Sequence, residues 1–272
     1  MTDLHTPRRS QPLHRIALAC ALLATAAAQA AVGPAASTEP DGRMDNIAYG
    51  GGGDIYELMP RLFVQGLGSS ADPSTVTGRN PLLQYSFAVS GAGSDLMTIE
   101  YRVHNNSTLQ SFSQLRFMVF ANPDGAGDFQ DTVTETWGGP ALGDPARREV
   151  RAPDPVDNIL SGFALANNLN EMPRPADAAC AGAGCDASVA LQWDANLLAP
   201  GETFRVRLGL SDTGQALSGR FLTITSVSDP ATALTMSGVG AVLAVPEPGS
   251  LALMLAGLLG LGFLARRRRQ AD

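Results

Sequence analysis

The sequence predicts an all-β protein, an antiparallel β-sandwich of about 8–10 strands. Apolar residues alternate with polar ones in several segments, and no segment between the two termini shows a sustained helical period. Turn signals such as Asn105-Asn106, Pro123-Asp124-Gly125 and Ala199-Pro200-Gly201 separate the alternating segments. Antiparallel strands joined by turns account for all three observations.

The alternation is clearest in residues 82–89, 96–103 and 204–210, where every second residue is apolar. Residues 115–121, LRFMVFA, are apolar on both faces and are predicted to form a central strand. Further strands are predicted at 56–65, 158–165, 189–193 and 220–227, with a short edge strand around 147–151.

The chain divides into five parts. The run Gly50-Gly51-Gly52-Gly53 and the Ala, Gly and Pro residues before it indicate a flexible segment ahead of the sandwich. The predicted parts are a signal peptide at 1–30, a flexible lead-in at 31–53, the sandwich at 54–237, a linker at 238–245 and a C-terminal signal at 246–270.

The first 30 residues have the pattern of a secretory signal peptide. Residues 1–15 carry three arginines and one acid, and the apolar run Ile16–Ala28 follows. Ala28 and Ala30 are the small residues that signal peptidase requires, which predicts cleavage before Ala31. We therefore expect export by the general secretory route.

The chain ends with a rigid tripeptide, an apolar segment and four arginines. Residues 249–265 contain seven leucines and no charge, and as a helix they would extend about 25 Å, which is the short end of the length that spans a bilayer. We expect a transmembrane helix there, with Arg266, Arg267, Arg268 and Arg269 stopping transfer and remaining in the cytoplasm.

The tripeptide before this helix is Pro246-Glu247-Pro248. Its prolines lack amide hydrogens and fix φ, so the tripeptide is expected to be extended and exposed at the outer surface of the membrane. An exposed, extended peptide is a substrate that a processing enzyme can bind. An ordinary membrane anchor with incidental prolines is the alternative.

The order of Pro246-Glu247-Pro248, an apolar helix and Arg266–Arg269 resembles the PEP-CTERM sorting signal of Gram-negative bacteria, also catalogued as an ice-binding-protein C-terminal domain. The resemblance covers residues 246–270 alone and does not show that the chain binds ice. It implies that an exosortase, a membrane-embedded transpeptidase, cleaves the chain near the tripeptide while the tail is held in the inner membrane. The product is then displayed at the cell surface or released, and such proteins are linked to exopolysaccharide and biofilm matrix in the family at large.

Two polar features of the body invite a structural or ligand-binding interpretation. Cys180 and Cys185 are close in sequence and remain after the signal peptide is removed, so in an oxidising compartment they are expected to form a local disulfide.

The segment 122–135 supplies closely spaced oxygen ligands that suit a calcium ion, although Asp and Gly are also the usual residues of turns. The calcium ligands proposed from this segment are Asn122, Asp124, Asp128 and Asp131.

Charge and residue types limit the function of the body. Between residues 31 and 245 twelve arginines stand against 23 acids, a net charge of −11, which repels nucleic acid. His104 is the one histidine after the signal peptide, and no nucleophile elbow or phosphate-binding loop occurs. These observations favour a surface or matrix component that is not an enzyme and has no cofactor. The alternative is a carbohydrate-binding or carbohydrate-active ectodomain, in which Trp137 or Trp193 would stack on sugars; burial is predicted for Trp193.

Overall fold

The protein folds as two antiparallel β-sheets packed face to face, which confirms the predicted all-β class. The computed structural model describes residues 31–125, 131–151, 164–165, 186–244, 254 and 256–259. These residues include thirteen strands, more than the 8–10 that the sequence predicts, together with a 3₁₀ turn at Gly50–Gly52 and a short helix, α1, at Pro73–Gly78. In chain order the strands are β1 (Ala35–Thr38), β2 (Met44–Tyr49), β3 (Gly53–Val64), β4 (Gly68–Ser70), β5 (Leu83–Ser90), β6 (Met97–Asn105), β7 (Phe112–Asp124), β8 (Asp131–Trp137), β9 (Arg147–Arg151), β10 (Ser188–Leu198), β11 (Thr203–Ser211), β12 (Arg220–Ser226) and β13 (Ala233–Leu243).

The first sheet has the strand order β1-β2-β3-β7-β10-β9, and β4 pairs with the end of β3. The second sheet has the order β5-β6-β11-β13-β12-β8. The chain passes repeatedly between the sheets, for example from β7 in the middle of the first sheet to β8 at the edge of the second. Each sheet is therefore completed only by strands from both halves of the chain.

The alternating segments form strands in the predicted phase. In β11, Phe204, Val206 and Leu208 are buried between the sheets, whereas Arg205 and Arg207 lie on the outer face. Strand β6 buries its apolar positions in the same core. In β5, Leu83 is buried, Tyr85 and Phe87 are partly buried against this core, and Val89 is 40 % exposed. Period-two alternation therefore located the half-buried strands correctly.

Strand β7 has the predicted central position, between β3 and β10. Its residue Phe117 belongs to the core between the sheets, whereas Met118 and Phe120 belong to a second apolar cluster on the opposite face. Leu165 covers this second cluster, and its backbone N–H donates to Oε1 of Gln192 at 2.7 Å. Leu165 itself is not in a strand, and the other residues of the predicted strand 158–165 lie outside the described residues, apart from residue 164.

The segment predicted as a flexible lead-in contains β1, β2 and the 3₁₀ turn instead. The alternation of apolar residues in β2 is interrupted because Asn46 adopts a left-handed φ of 53°. As a result Met44 and Ile47, three residues apart, both face the core. The glycine run supplies the left-handed φ of 74° at Gly51 and a close approach at Gly53, where a Cβ atom would lie 2.6 Å from Cζ of Tyr49.

Strand β13 continues to Leu243, through most of the segment predicted as a linker. Its glycines mark a close packing contact rather than a flexible connection. A Cβ atom on Gly238 would lie 2.5 Å from Cζ2 of Trp193, and one on Gly240 would lie 2.8 Å from Cδ1 of the same ring. Trp193 of β10 therefore lies directly against the backbone of β13 and is 1 % exposed, as its position in an apolar strand predicts.

The two open sides of the sandwich are closed by side chains. On one side, the hydroxyl of Tyr85 in β5 donates to the carbonyl of Asp41, in the turn between β1 and β2, at 2.7 Å. On the other side, Arg148 of β9 pairs with Glu135 of β8 at 2.5 Å, and its guanidinium lies 4.6 Å from the centre of the Trp137 ring. Side chains of the edge strands β5, β8 and β9, together with the turn between β1 and β2, thus link the two sheets.

Helix α1 has no counterpart among the predicted elements, because six residues are too few for a periodic pattern. Asp72 caps it by accepting from the backbone N–H of Ser74 at 2.8 Å, and Pro73 occupies the first helical position.

No helix among the residues that the structure describes is long and apolar enough to cross a membrane. The predicted transmembrane segment 249–265 lies largely outside those residues. Its described members, Met254 and residues 256–259, are helical and exposed.

Replacing Gly238 by Ala should lower the free energy of unfolding by about 2 kcal/mol, in the range typical of overpacked cores. The new methyl group would meet Trp193 on one side and the carbonyl oxygen of Arg207, at 2.6 Å, on the other, and the backbone oxygen cannot move aside. Urea unfolding followed by tryptophan fluorescence measures the loss.

Gly219→Ala is the matched control, because the nearest atom to its new methyl group is 4.0 Å away. Its unfolding curve should overlay that of the wild type. Equal losses for the two variants would mean that the effect reflects glycine replacement in general and not contact with Trp193.

Candidate functional site

Most of the residues that the sequence assigns to export and sorting lie outside the described residues. Ala31, where the mature chain is predicted to begin, is the first residue described. The predicted site residues outside the described ranges are Ala28, Ala30, Asp128, Cys180, Cys185, Pro246, Glu247, Pro248, Arg266, Arg267, Arg268 and Arg269.

Three of the four predicted calcium ligands are described, and they lie where the chain passes from the first sheet to the second. Asn122 and Asp124 end β7, and Asp131 begins β8. Asp124 is the cross-strand partner of Asp54 in β3, and Asp186 precedes β10 nearby. We call Asp54, Asp124, Asp131 and Asp186 the acidic end of the sandwich.

Close packing fixes the geometry of the acidic end. Asp131 is fully buried and pairs across the strands with Ser226 of β12. Gly125 approaches both residues so closely that a Cβ atom on it would lie 2.6 Å from Cβ of Ser226 and 2.9 Å from Oδ1 of Asp131. Only glycine fits at this position of the connection between β7 and β8.

The local electrostatics reflect several acids in a partly buried site. Burial, and then the carboxylates of Asp54 and Asp186, raise the pKa of Asp124 to about 6. The hydroxyl of Tyr49 donates to the backbone carbonyl of Asp124 at 3.2 Å, and burial together with Asp131, Asp124 and Asp54 raises the pKa of Tyr49 far above its ordinary value. Such an environment favours a bound cation or a bound proton.

The sequence missed Asp54 and Asp186, because they come from segments far from residues 122–135 and only the fold brings them close. Within the described part of the chain, no group of three or more His, Cys, Asp or Glu residues is arranged to hold a metal ion. The predicted ligand Asp128 is outside that part. Calcium binding at Asn122, Asp124, Asp128 and Asp131 therefore stays a prediction.

The two tryptophans occupy different environments. Trp193 is buried in the core, whereas Trp137 is partly buried beside two of the chain's own guanidinium groups, those of Arg148 and Arg220 at 4.6 and 4.9 Å from the ring centre. Trp193 therefore has no exposed face on which a sugar could stack, and the guanidinium groups occupy at least one face of Trp137.

An open pocket of about 200 Å³ lies on the outer face of the first sheet, between β7 and β10. Gln114 at its border has a left-handed φ of 49°, and the pocket contains one carboxylate, that of Asp194. Glycoside hydrolysis normally requires two carboxylates, one on each side of the substrate. The described residues that line this pocket supply one of them, that of Asp194.

Replacing Asp124 by Asn should stabilise the protein at pH 7 by about 1 kcal/mol, less than the full pKa shift implies because the carboxyl is partly exposed. The stability that protonated Asp124 contributes to the fold is present in full below the ordinary aspartate pKa of 3.8. This stability is lost as the pH rises through the pKa of about 6 in the folded protein. The gain from Asp124→Asn should therefore appear between pH 4 and pH 6 and be absent below, as measured by thermal unfolding across this range.

Asp95→Asn, in the loop between β5 and β6, is the control, since Asp95 is exposed and outside the acidic end. It should leave the pH dependence of stability unchanged. A gain from Asp124→Asn that is equally large at pH 3.5 would show that the ionisation of the buried Asp124 carboxyl is not its cause.

The calcium interpretation makes a separate prediction. Millimolar calcium should raise the unfolding temperature of the wild-type protein at pH 7, and a chelator should reverse the increase. Asp124→Asn should abolish the calcium-dependent increase, because it removes one ligand charge. Scanning fluorimetry measures both effects, and an unchanged wild-type unfolding temperature would exclude this site.

Residues 244–269 match the family model described as the PEP-CTERM protein-sorting motif. Neither a curated protein nor a solved structure matches the chain. The matched segment begins at Ala244, directly after the last residue of β13. The matched sorting segment thus follows the last strand of the two-sheet body directly, and the chain carries a PEP-CTERM protein-sorting motif, the mark of an exported protein that an exosortase processes.

Proposed function

We propose that this protein is a non-enzymatic component of the cell surface or the exopolysaccharide matrix, delivered there by exosortase processing. The match of residues 244–269 to the sorting motif is the observation that carries the proposal. A body with two sheets and an acidic surface, net −11 between residues 31 and 245, suits a soluble domain displayed outside the cell.

In the proposed route, signal peptidase removes residues 1–30 and the general secretory route delivers the body to the periplasm. The tail then holds the chain in the inner membrane, with Arg266–Arg269 in the cytoplasm. The exosortase cleaves near Pro246-Glu247-Pro248 and frees the body for display or release.

The distance between the body and the tripeptide constrains this reaction. β13 ends at Leu243, and the three residues from there to Pro246 span at most about 10 Å. The exosortase must therefore bind its substrate peptide within about 10 Å of the end of β13. The exposed end of β13 and the residue after it, from Ala241 to Ala244, are the nearest part of the body to the cleavage point.

Glu247→Gln should reduce the processed fraction about tenfold or more, because it removes the charge of the tripeptide while keeping its size and its prolines. Mass spectrometry of the C-terminus of protein from the native host measures processing. The wild type should end near the tripeptide, and the variant should retain the arginines.

Glu39→Gln is the matched control, since Glu39 is exposed on the body and the same carboxylate-to-amide change is made there. Its processing should equal that of the wild type. Wild-type protein that keeps its full arginine tail in a host with an active exosortase would contradict the proposed function.

The alternative, a carbohydrate-binding or carbohydrate-active body with the same tail, is supported by the polar pocket bordered by Gln114, Arg116, Asp194 and Asn196. Amide and carboxylate groups of this kind bond to sugar hydroxyls. A glycan array and a hydrolysis screen distinguish the two functions. Selective sugar binding that Asp194→Asn removes and Asp95→Asn leaves intact would establish the alternative.

A further inference from the structure

The edges of the two sheets differ in their capacity to pair with another strand. An edge strand exposes a row of backbone N–H and C=O groups that bind a further strand unless shortness, charge or proline prevents it. β1 has only four residues, β9 has the charged sequence RREVR, and β8 carries Asp131 and Glu135. These three edges have features that oppose pairing.

Strand β5, the remaining outermost strand of the second sheet, has none of these features. Its eight residues, LQYSFAVS, include no charge, proline or glycine, and they pair with β6 in unbroken register from Leu83 to Ser90. Gln84, Ser86 and Ala88 are exposed on the outer face. Among the described residues, no turn, loop or helix backbone bonds to residues 84–90.

We propose that β5 pairs antiparallel with β5 of a second copy of this chain, so that two six-stranded sheets join into one continuous sheet across a two-fold axis. This inference is independent of the proposed function. Antiparallel pairing of a whole strand satisfies the exposed row of backbone groups and specifies one orientation of the two copies.

The distribution of charge favours a second copy over a different partner. A two-fold axis brings two copies of the same strand together, so any charge on β5 would be present twice in the interface. β5 carries none, although the body as a whole is acidic. On the neighbouring strand β6, Arg102 donates from Nε to Oε1 of Glu100 at 2.6 Å, so the outer face beside the edge is close to neutral.

The side chains at the edge suit the same pairing. Tyr85 and Phe87 are only partly buried at the margin of the core, and Val89 is 40 % exposed. A second β5 would place the same three apolar side chains beside them and extend the core across the axis. A strand with charged or polar residues at these positions would leave them exposed.

The two-fold axis also limits the register. Outward-facing residues of one copy must lie opposite outward-facing residues of the other, or the apolar residues would change face. With nearly full overlap of the two strands, Ser86 lies opposite either Ser86 or Ala88 of the second copy. Directly opposite residues in an antiparallel pair are close enough for a disulfide.

Disulfide trapping tests the proposal with the full chain, including its signal peptide and tail, in an export-competent bacterial host. Cells that produce Ser86→Cys alone, or Ser86→Cys together with Ala88→Cys on separate copies, are treated with a mild oxidant. One of the two samples should give a reducible species of twice the monomer mass. The wild-type chain, which keeps Cys180 and Cys185, should not.

Thr134→Cys is the matched control, because Thr134 is equally exposed on the outer face of β8, at the opposite edge of the same sheet. It should remain monomeric. Where Ser86 pairs with Ser86, Gln84 of one copy lies opposite Ala88 of the other. Adding both Gln84→Lys and Ala88→Lys to Ser86→Cys on the same chain should therefore reduce the trapped dimer several-fold, because each lysine then lies opposite a lysine of the second copy.

Three results would overturn the proposal. The first is the absence of a dimer in both trapping samples, and the second is equal trapping by Thr134→Cys. The third is a cross-linked species of another mass, which would mean that β5 binds a strand of a different protein.

Discussion

The contact of Trp193 with the backbone of β13 determines how the two sheets pack. A tryptophan ring buries about 150–250 Å² of surface, which contributes roughly 4–6 kcal/mol of hydrophobic stabilisation. Its Nε1 group is buried and has no hydrogen-bond partner among the described residues, which costs about 1–3 kcal/mol. Burial therefore outweighs the unsatisfied donor, but only while Gly238 and Gly240 leave room for the ring.

Much of the fold follows from the alternation of apolar residues, and the exceptions have physical causes. β5, β6, β11 and the central position of β7 were predictable, because a strand with one or two covered faces has a recognisable pattern. β2 was not, because the left-handed Asn46 shifts the residues after it to the other face. β13 was not, because glycine is typical of linkers and only the position of Trp193, more than forty residues earlier, shows that here it accommodates a ring.

The candidate site was predictable to a smaller extent. The sequence identified Asn122, Asp124 and Asp131 as a polar group, but it could not show that Asp54 and Asp186 complete the acidic end. Those two residues are brought near by strand pairing over long sequence separations, which no local pattern records. By contrast, the sorting motif is contiguous in the sequence, so identifying it needed no knowledge of the fold.

The last strand of the body, β13, is not an edge strand but lies between β11 and β12. In a chain exported from its N-terminus, the second sheet therefore stays incomplete until almost the whole polypeptide has crossed the membrane. The residues after β13 belong to the sorting motif, so the final strand directly precedes that motif along the chain. Completion of the core and arrival of the cleavable peptide thus coincide, and a truncated or stalled chain would lack both the strand that finishes its fold and the signal for its release.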